Sequence, residues 1–157
     1  MDNNAELLDQ ESSEVSYVIN VLLADEYQIY KATRKAQRET DEIKINGVNK
    51  FYENQYEILE NIIQNASDRT HKSSNSHKNS LDNLFKAGRL KEFNEDSYSK
   101  NFIIERLCAY HESLMSLLRA DIIKIAEVHK DPDTAAFLSQ VLEKHEKIIW
   151  MLESHLS

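Results

Sequence analysis

Chain-breaking and cross-linking residues are nearly missing from this sequence. Its 157 residues include one proline (Pro132), two glycines (Gly47 and Gly88) and one cysteine (Cys108). So few breakers argue against a turn-rich β fold and predict long, uninterrupted helices. A lone cysteine excludes an internal disulfide and any zinc site built on a cysteine pair. With Ile104 and Leu107 beside it on an apolar stripe, Cys108 reads as a small buried hydrophobe. Long apolar runs are also missing: none approaches the roughly 20 residues of a membrane span. No base precedes Lys31. The charged start of a secretory signal is therefore lacking, and the cytoplasm is the expected location.

What is present is acid, unevenly placed. The formal net charge is −8, from 27 acids and 19 bases. Residues 1–30 hold seven of the acids (Asp2, Glu6, Asp9, Glu11, Glu14, Asp25 and Glu26) and no base, so the remainder is close to neutral. A chain of this length suits one domain that buries roughly 70% of its unfolded surface. Its core needs neither a disulfide nor a structural metal.

Apolar residues recur at three and four, the helical period. Val15, Val18, Ile19, Leu22, Leu23, Ile29 and Tyr30 predict a first helix over about Ser13–Thr40, with Ser12 or Ser13 as its cap. Residues 1–12 are expected to be an acidic flexible tail and 13–157 the domain. A second helix is predicted from about Gly47 to Arg69, and Asn46-Gly47 suits the turn before it. Residues 70–80 contain no apolar side chain and read as a solvated loop. They open a crossover over 70–91 that carries a short amphipathic piece, Leu81 to Ala87, ended by Gly88. A third helix follows from about Ser97 to His129, and Pro132 breaks it. A fourth then runs to about His155. The result is an all-α, ferritin-like four-helix bundle of two hairpins joined by a crossover. Periodicity alone is equally compatible with a cytokine-like bundle or a signalling four-helix domain.

Specific strings separate these alternatives. Leu22-Leu23-Ala24-Asp25-Glu26-Tyr27-Gln28-Ile29-Tyr30 with Thr33-Arg34 resembles the first helix of the Dps-type mini-ferritins. Phe51-Tyr52-Glu53-Asn54-Gln55-Tyr56 with Leu59 resembles their second. Asp133-Thr134-Ala135 with Leu138, and Ile149-Trp150-Met151-Leu152, are similar to the two ends of their last helix. The resemblance covers roughly residues 13–157. It implies a homo-oligomeric, dodecameric shell that oxidises ferrous iron, commonly with peroxide, and stores the ferric product. It also implies an iron site shared across a dimer interface.

Position by position, that site is rewritten. Its two histidines correspond to Gln37 and Asn49, and the tryptophan beside the first corresponds to Arg38. Its aspartate four residues after the second histidine corresponds to Glu53. The partner's aspartate and glutamate correspond to Gln64 and Asp68. Iron needs carboxylate and imidazole donors to offset its charge, whereas an amide offers only a weak carbonyl oxygen. Glu53 and Asp68 are what remain of the metal ligands, so iron binding is expected to be weak and ferroxidase activity low or absent.

Other sites read less sharply. Asp68 and His71, three apart, suit a displaced site with Glu53, but His71 borders the polar loop and reads as solvated. No Glu-x-x-His, the signature of single-bundle di-iron proteins, occurs. His145, between Glu143 and Glu146, reads as a surface histidine in a charged face. Asp131 and Asp133 either line the acidic iron pore that the resemblance implies or cap the fourth helix; Ala136 stands where that pore usually has a further acid. Six bases between Arg69 and Lys91 face one acid, Asp82, and read as a solvated loop. Met1–Glu14 holds five acids and no lysine, so DNA binding is not expected. The competing functions are a non-catalytic cage or partner-binding protein and a smaller helical interaction module.

Overall fold

The computed structural model describes residues 2–43, 49–71, 86–92 and 99–157, with only the backbone described at 2–4, 7–12, 49 and 71. Among the described residues, four long helices follow one another: α1 (Asp2–Glu42), α2 (Asn49–His71), α3 (Lys100–Glu127) and α4 (Pro132–Glu153). Among the described residues there is no strand. The expected turn at Asn46-Gly47 and most of the short Leu81–Ala87 piece lie outside the described residues.

α1 is longer than its apolar stripe. It begins at Asp2, so residues 2–12 are helical where a flexible tail was expected. No glycine or proline precedes Gly47, and nothing in this stretch interrupts the hydrogen-bond ladder. α3 starts where the Ser99 hydroxyl accepts from the Phe102 amide at 3.4 Å. Its end is marked by Lys130 at φ 54°, a left-handed turn that halts the helix. Asp131 then caps α4, accepting from the Thr134 amide at 3.0 Å, with Pro132 in the first turn. Proline is tolerated there because that amide has no intrahelical acceptor.

α1 packs on α2 and on α3, α3 packs extensively on α4, and α2 touches α4. That is the expected pair of antiparallel hairpins closed into one bundle. Leu22 and Ile29 of α1, Leu59 and Ile62 of α2, Leu114 and Leu118 of α3, and Leu138 and Ile148 of α4 are wholly buried. Each contributes on the order of 1.5–3 kcal/mol through apolar surface removed from water.

Among the described residues of the crossover, Arg89 is a fastening point. Arg89 donates from its amide and Nε to the Asp25 carboxylate at 2.6 and 2.8 Å, and from Nη1 to Asp121 at 3.0 Å. It thereby ties the connection to both α1 and α3. Arg69 is also engaged, by Asp133 at 3.2 Å and over the Phe137 ring at 4.2 Å. Two of the six crossover bases are therefore structural anchors, where a solvated loop was expected.

Candidate functional site

The positions matching the family's iron site lie on α1 and α2. Gln37 is half-buried, and its Oε1 accepts from the Tyr56 hydroxyl at 2.7 Å. Burial pushes the Tyr56 phenol up to about 12, against the opposing pull of Arg34 and Arg38. It therefore stays a donor. Gln64 Nε2 donates to Asp68 Oδ1 at 2.9 Å, and both residues are exposed. Glu53 and Arg38 are exposed as well. Asn49 opens α2 and His71 ends it, but their side chains lie outside the described residues. Glu53 and Asp68 stand fifteen positions apart on α2, a rise of ~22 Å at 1.5 Å per residue. One chain cannot bring them to the same ion.

Asp131 and Asp133 differ in role. Both Asp131 oxygens are engaged by Thr134, from its amide at 3.0 Å and its hydroxyl at 2.7 Å. Asp133 is exposed and faces Arg69. Cys108 is buried as expected. Burial, reinforced by Glu153, Glu112 and Glu105, pushes its thiol up to about 11, so it remains protonated and unreactive at neutral pH.

The most unusual chemistry sits in the bundle core. Glu26 of α1, His111 of α3 and His145 of α4 are all wholly buried. His145 Nε2 meets Glu26 Oε1 at 2.6 Å, and His145 Nδ1 meets His111 Nδ1 at 2.8 Å. An ionised carboxylate can only accept, and with Glu26 in that form the proton of this bond sits on His145 Nε2. One further proton bridges the two Nδ1 atoms. Burial, with His145 as a second cause, holds the His111 pKa well below its ordinary value of 6.5, so His111 is neutral near pH 7. Glu26 Oε2 and His111 Nε2, at the two ends of this chain, have no hydrogen-bond partner among the described residues. Both nitrogens of His145 are occupied by its neighbours. Among the described residues, no group of three or more His, Cys, Asp or Glu is disposed to hold a metal ion.

The expectation of a surface His145 is thus overturned. Its sequence neighbours Glu143 and Glu146 misled, because residues one or two apart leave a helix in different directions. The informative neighbours are three and four away. Val141, Leu142, Ile148 and Ile149 bracket His145; Leu22, Leu23, Ile29 and Tyr30 bracket Glu26; Leu107, Cys108, Leu114 and Met115 bracket His111. Each polar residue lies inside an apolar stripe. That signal was available in the sequence.

Comparison with known proteins places this bundle. The family model for the ferritin-like domain matches residues 18–157. An uncharacterized low temperature-induced protein of Nostoc is 28% identical over 153 residues, covering 98% of this chain and 86% of its own. The Dps homologue of the archaeon Halobacterium salinarum superposes with a TM-score of 0.76 at 18% identity, over 94% of this chain and 82% of that one. The DPS protein of Vibrio cholerae O1, described as a member of a broad superfamily of ferritin-like diiron-carboxylate proteins, superposes with a TM-score of 0.75. It is 24% identical over 93% of this chain and 91% of its own. The chain therefore belongs to the ferritin-like domain family, with the four-helix fold of the Dps-type mini-ferritins.

Proposed function

We propose that this chain is the subunit of a cytoplasmic, Dps-like dodecameric shell that binds and stores iron and protects against oxidative damage. Its intersubunit ferroxidase centre is weakened or absent. The observation that carries this reading is the pairing of the two amides: Gln37 accepts from Tyr56, and Gln64 donates to Asp68. Groups that stand where metal ligands are expected are engaged in side-chain hydrogen bonds instead. Iron is cargo here, held by Glu53 of one subunit, Asp68 of another and further acidic side chains of the shell. Assembly is supported by large apolar side chains exposed on the single subunit, Trp150 at 72% and Tyr17 and Val128 at 64% each. Burying such surfaces is what subunit association accomplishes.

Two measurements test the reading. Light scattering is expected at twelve copies of the 18.3 kDa chain; a monomer would end the shell hypothesis. Anaerobic ferrous loading followed by peroxide is expected to leave ferric iron eluting with the shell, formed little faster than in a protein-free blank. Iron that never co-elutes with the protein would leave a non-catalytic cage as the surviving reading. Rapid oxidation would show that the ferroxidase centre is intact.

A further inference from the structure

α1 is segregated by charge. Residues 2–30 carry seven acids and no base, and residues 31–38 then carry Lys31, Arg34, Lys35 and Arg38 with no acid. Lys31 with Arg34 and Lys35, and Arg38 with Arg34 and Lys35, are like charges three or four apart, a spacing that destabilises a helix. Lys35 has Glu39 at 4.0 Å. Among the described residues, Lys31, Arg34 and Arg38 have no carboxylate within ion-pair distance. All three are exposed. Like-charge crowding of this kind is kept where something other than stability requires it.

These four side chains border a cleft of about 400 Å³ between α1 and α3. Arg106 of α3 reaches the same cleft, held at 2.8 Å by the buried carboxylate of Glu39. Glu92 is its one acidic lining residue. Five bases thus border or reach the cleft, against Glu92 in its lining and Glu39 behind Arg106, on a chain whose net charge is −8. The volume lies in the range of small-molecule pockets, well above what one phosphate fills. A long polyanion is disfavoured by the acidic residues that precede the cleft on the same helix.

We propose that this cleft binds a compact polyphosphate anion: the phosphate chain of a nucleoside triphosphate or an inorganic oligophosphate. Arg34 and Arg38 offer forked donors that match phosphate oxygens, Lys31 and Lys35 act as point charges, and Arg106 fixes the inner wall. The cleft borders the positions matching the family's iron site through Arg38, but it is lined mainly by bases, so its occupancy is read by anion binding and not by ferrous oxidation.

Calorimetric titration of the full-length assembled protein tests it, with inorganic tripolyphosphate, ATP and orthophosphate injected separately at low and physiological salt. Tripolyphosphate and ATP are expected to bind, to weaken as salt rises, and to bind at least about tenfold more tightly than orthophosphate. Equal affinities would identify the phosphate chain as the recognised group; tighter ATP binding would add the nucleoside. Both results support the site. The double variant Lys31→Gln/Arg34→Gln changes only exposed side chains and relieves like-charge repulsion, so it is expected to melt no lower than the wild type while losing about tenfold or more in affinity. The proposal is overturned if neither polyphosphate binds at millimolar concentration, if orthophosphate binds as well, or if the folded double variant binds undiminished. Tighter binding of a short single-stranded DNA than of either polyphosphate would equally overturn it.

Discussion

Glu26 and His145, 119 positions apart in the chain, meet at 2.6 Å in the wholly buried centre of the bundle. Their contact joins the first helix to the last, and His111 extends it to the third. A polar chain in an apolar core holds its helices in one relative register, because any sliding strands a buried donor or acceptor.

Removing one member is therefore expected to be costly. Glu26→Ala leaves the His145 Nε2 proton without an acceptor and should destabilise by about 2–4 kcal/mol. Glu26→Gln, which keeps an acceptor oxygen, should cost less. Chemical denaturation midpoints decide the order; equal losses would show that the carboxylate acts only by filling volume.

Acid should weaken the fold through His111. In the unfolded chain this histidine titrates near 6.5, whereas in the bundle its pKa is held well below that by burial and by His145. Above pH 6.5 it is neutral in both states and contributes no pH dependence. As pH falls below 6.5, the unfolded chain takes up a proton that the folded chain refuses. Stability is then lost at up to about 1.4 kcal/mol per pH unit, until the folded pKa is reached. Urea unfolding between pH 7.5 and 5 should show this decline, and His111→Gln should flatten its contribution.

Arg89 is expected to matter more than a surface arginine. Asp25 is wholly buried and accepts from both the Arg89 amide and its Nε; Arg89→Ala keeps the first bond but removes the second, together with the bond to Asp121. Arg89→Ala should cost about 2–4 kcal/mol, less than a fully enclosed pair because Arg89 is itself a quarter exposed. Arg89→Lys should recover only part of this, since an ammonium cannot fork between Asp25 and Asp121. Thermal melting with a protease-sensitivity assay on the crossover would check both.

One core residue invites stabilisation. Gln55 is wholly buried, and neither side-chain amide atom has a partner among the described residues. Gln55→Met keeps the length while removing the unpaired polar atoms. A gain of about 1–3 kcal/mol is expected in denaturant unfolding; a loss would mean the amide is needed in the assembled protein.

Restoring the ligand chemistry tests the functional reading directly. The triple variant Gln37→His/Asn49→His/Gln64→Asp should oxidise ferrous iron faster than the parent by on the order of tenfold or more. The comparison holds only if light scattering shows the same assembly. No gain in a correctly assembled variant would mean that the backbone, as well as the ligands, has moved away from a working site.

The positions corresponding to the family's ligands are read residue by residue from short strings in two adjacent helices. The Gln37–Tyr56 and Gln64–Asp68 bonds were not foreseen individually, though amides at those positions implied some such pairing. His145 was misread because its neighbours in sequence were weighed above its neighbours on the helix face. The start of α1 was placed too late for a related reason: an apolar stripe marks where a helix packs, and the helix itself continues through Asp2 without one.

The sequence by itself determined the four helices, their order and the faces they bury. Those properties rest on breakers, caps and a period of 3.6 residues, all local. It also carries the reading of Gln37, Asn49 and Gln64 as positions where the resemblance expects metal ligands, since that is a matter of side-chain identity. Only the tertiary structure decided that Glu26, His111 and His145 form one hydrogen-bonded chain, that Arg89 clips the crossover, and that Arg106 meets the basic stretch of α1 across a cleft. These depend on distances between residues 32 to 119 positions apart. Helix packing sets such distances, and no local pattern specifies them.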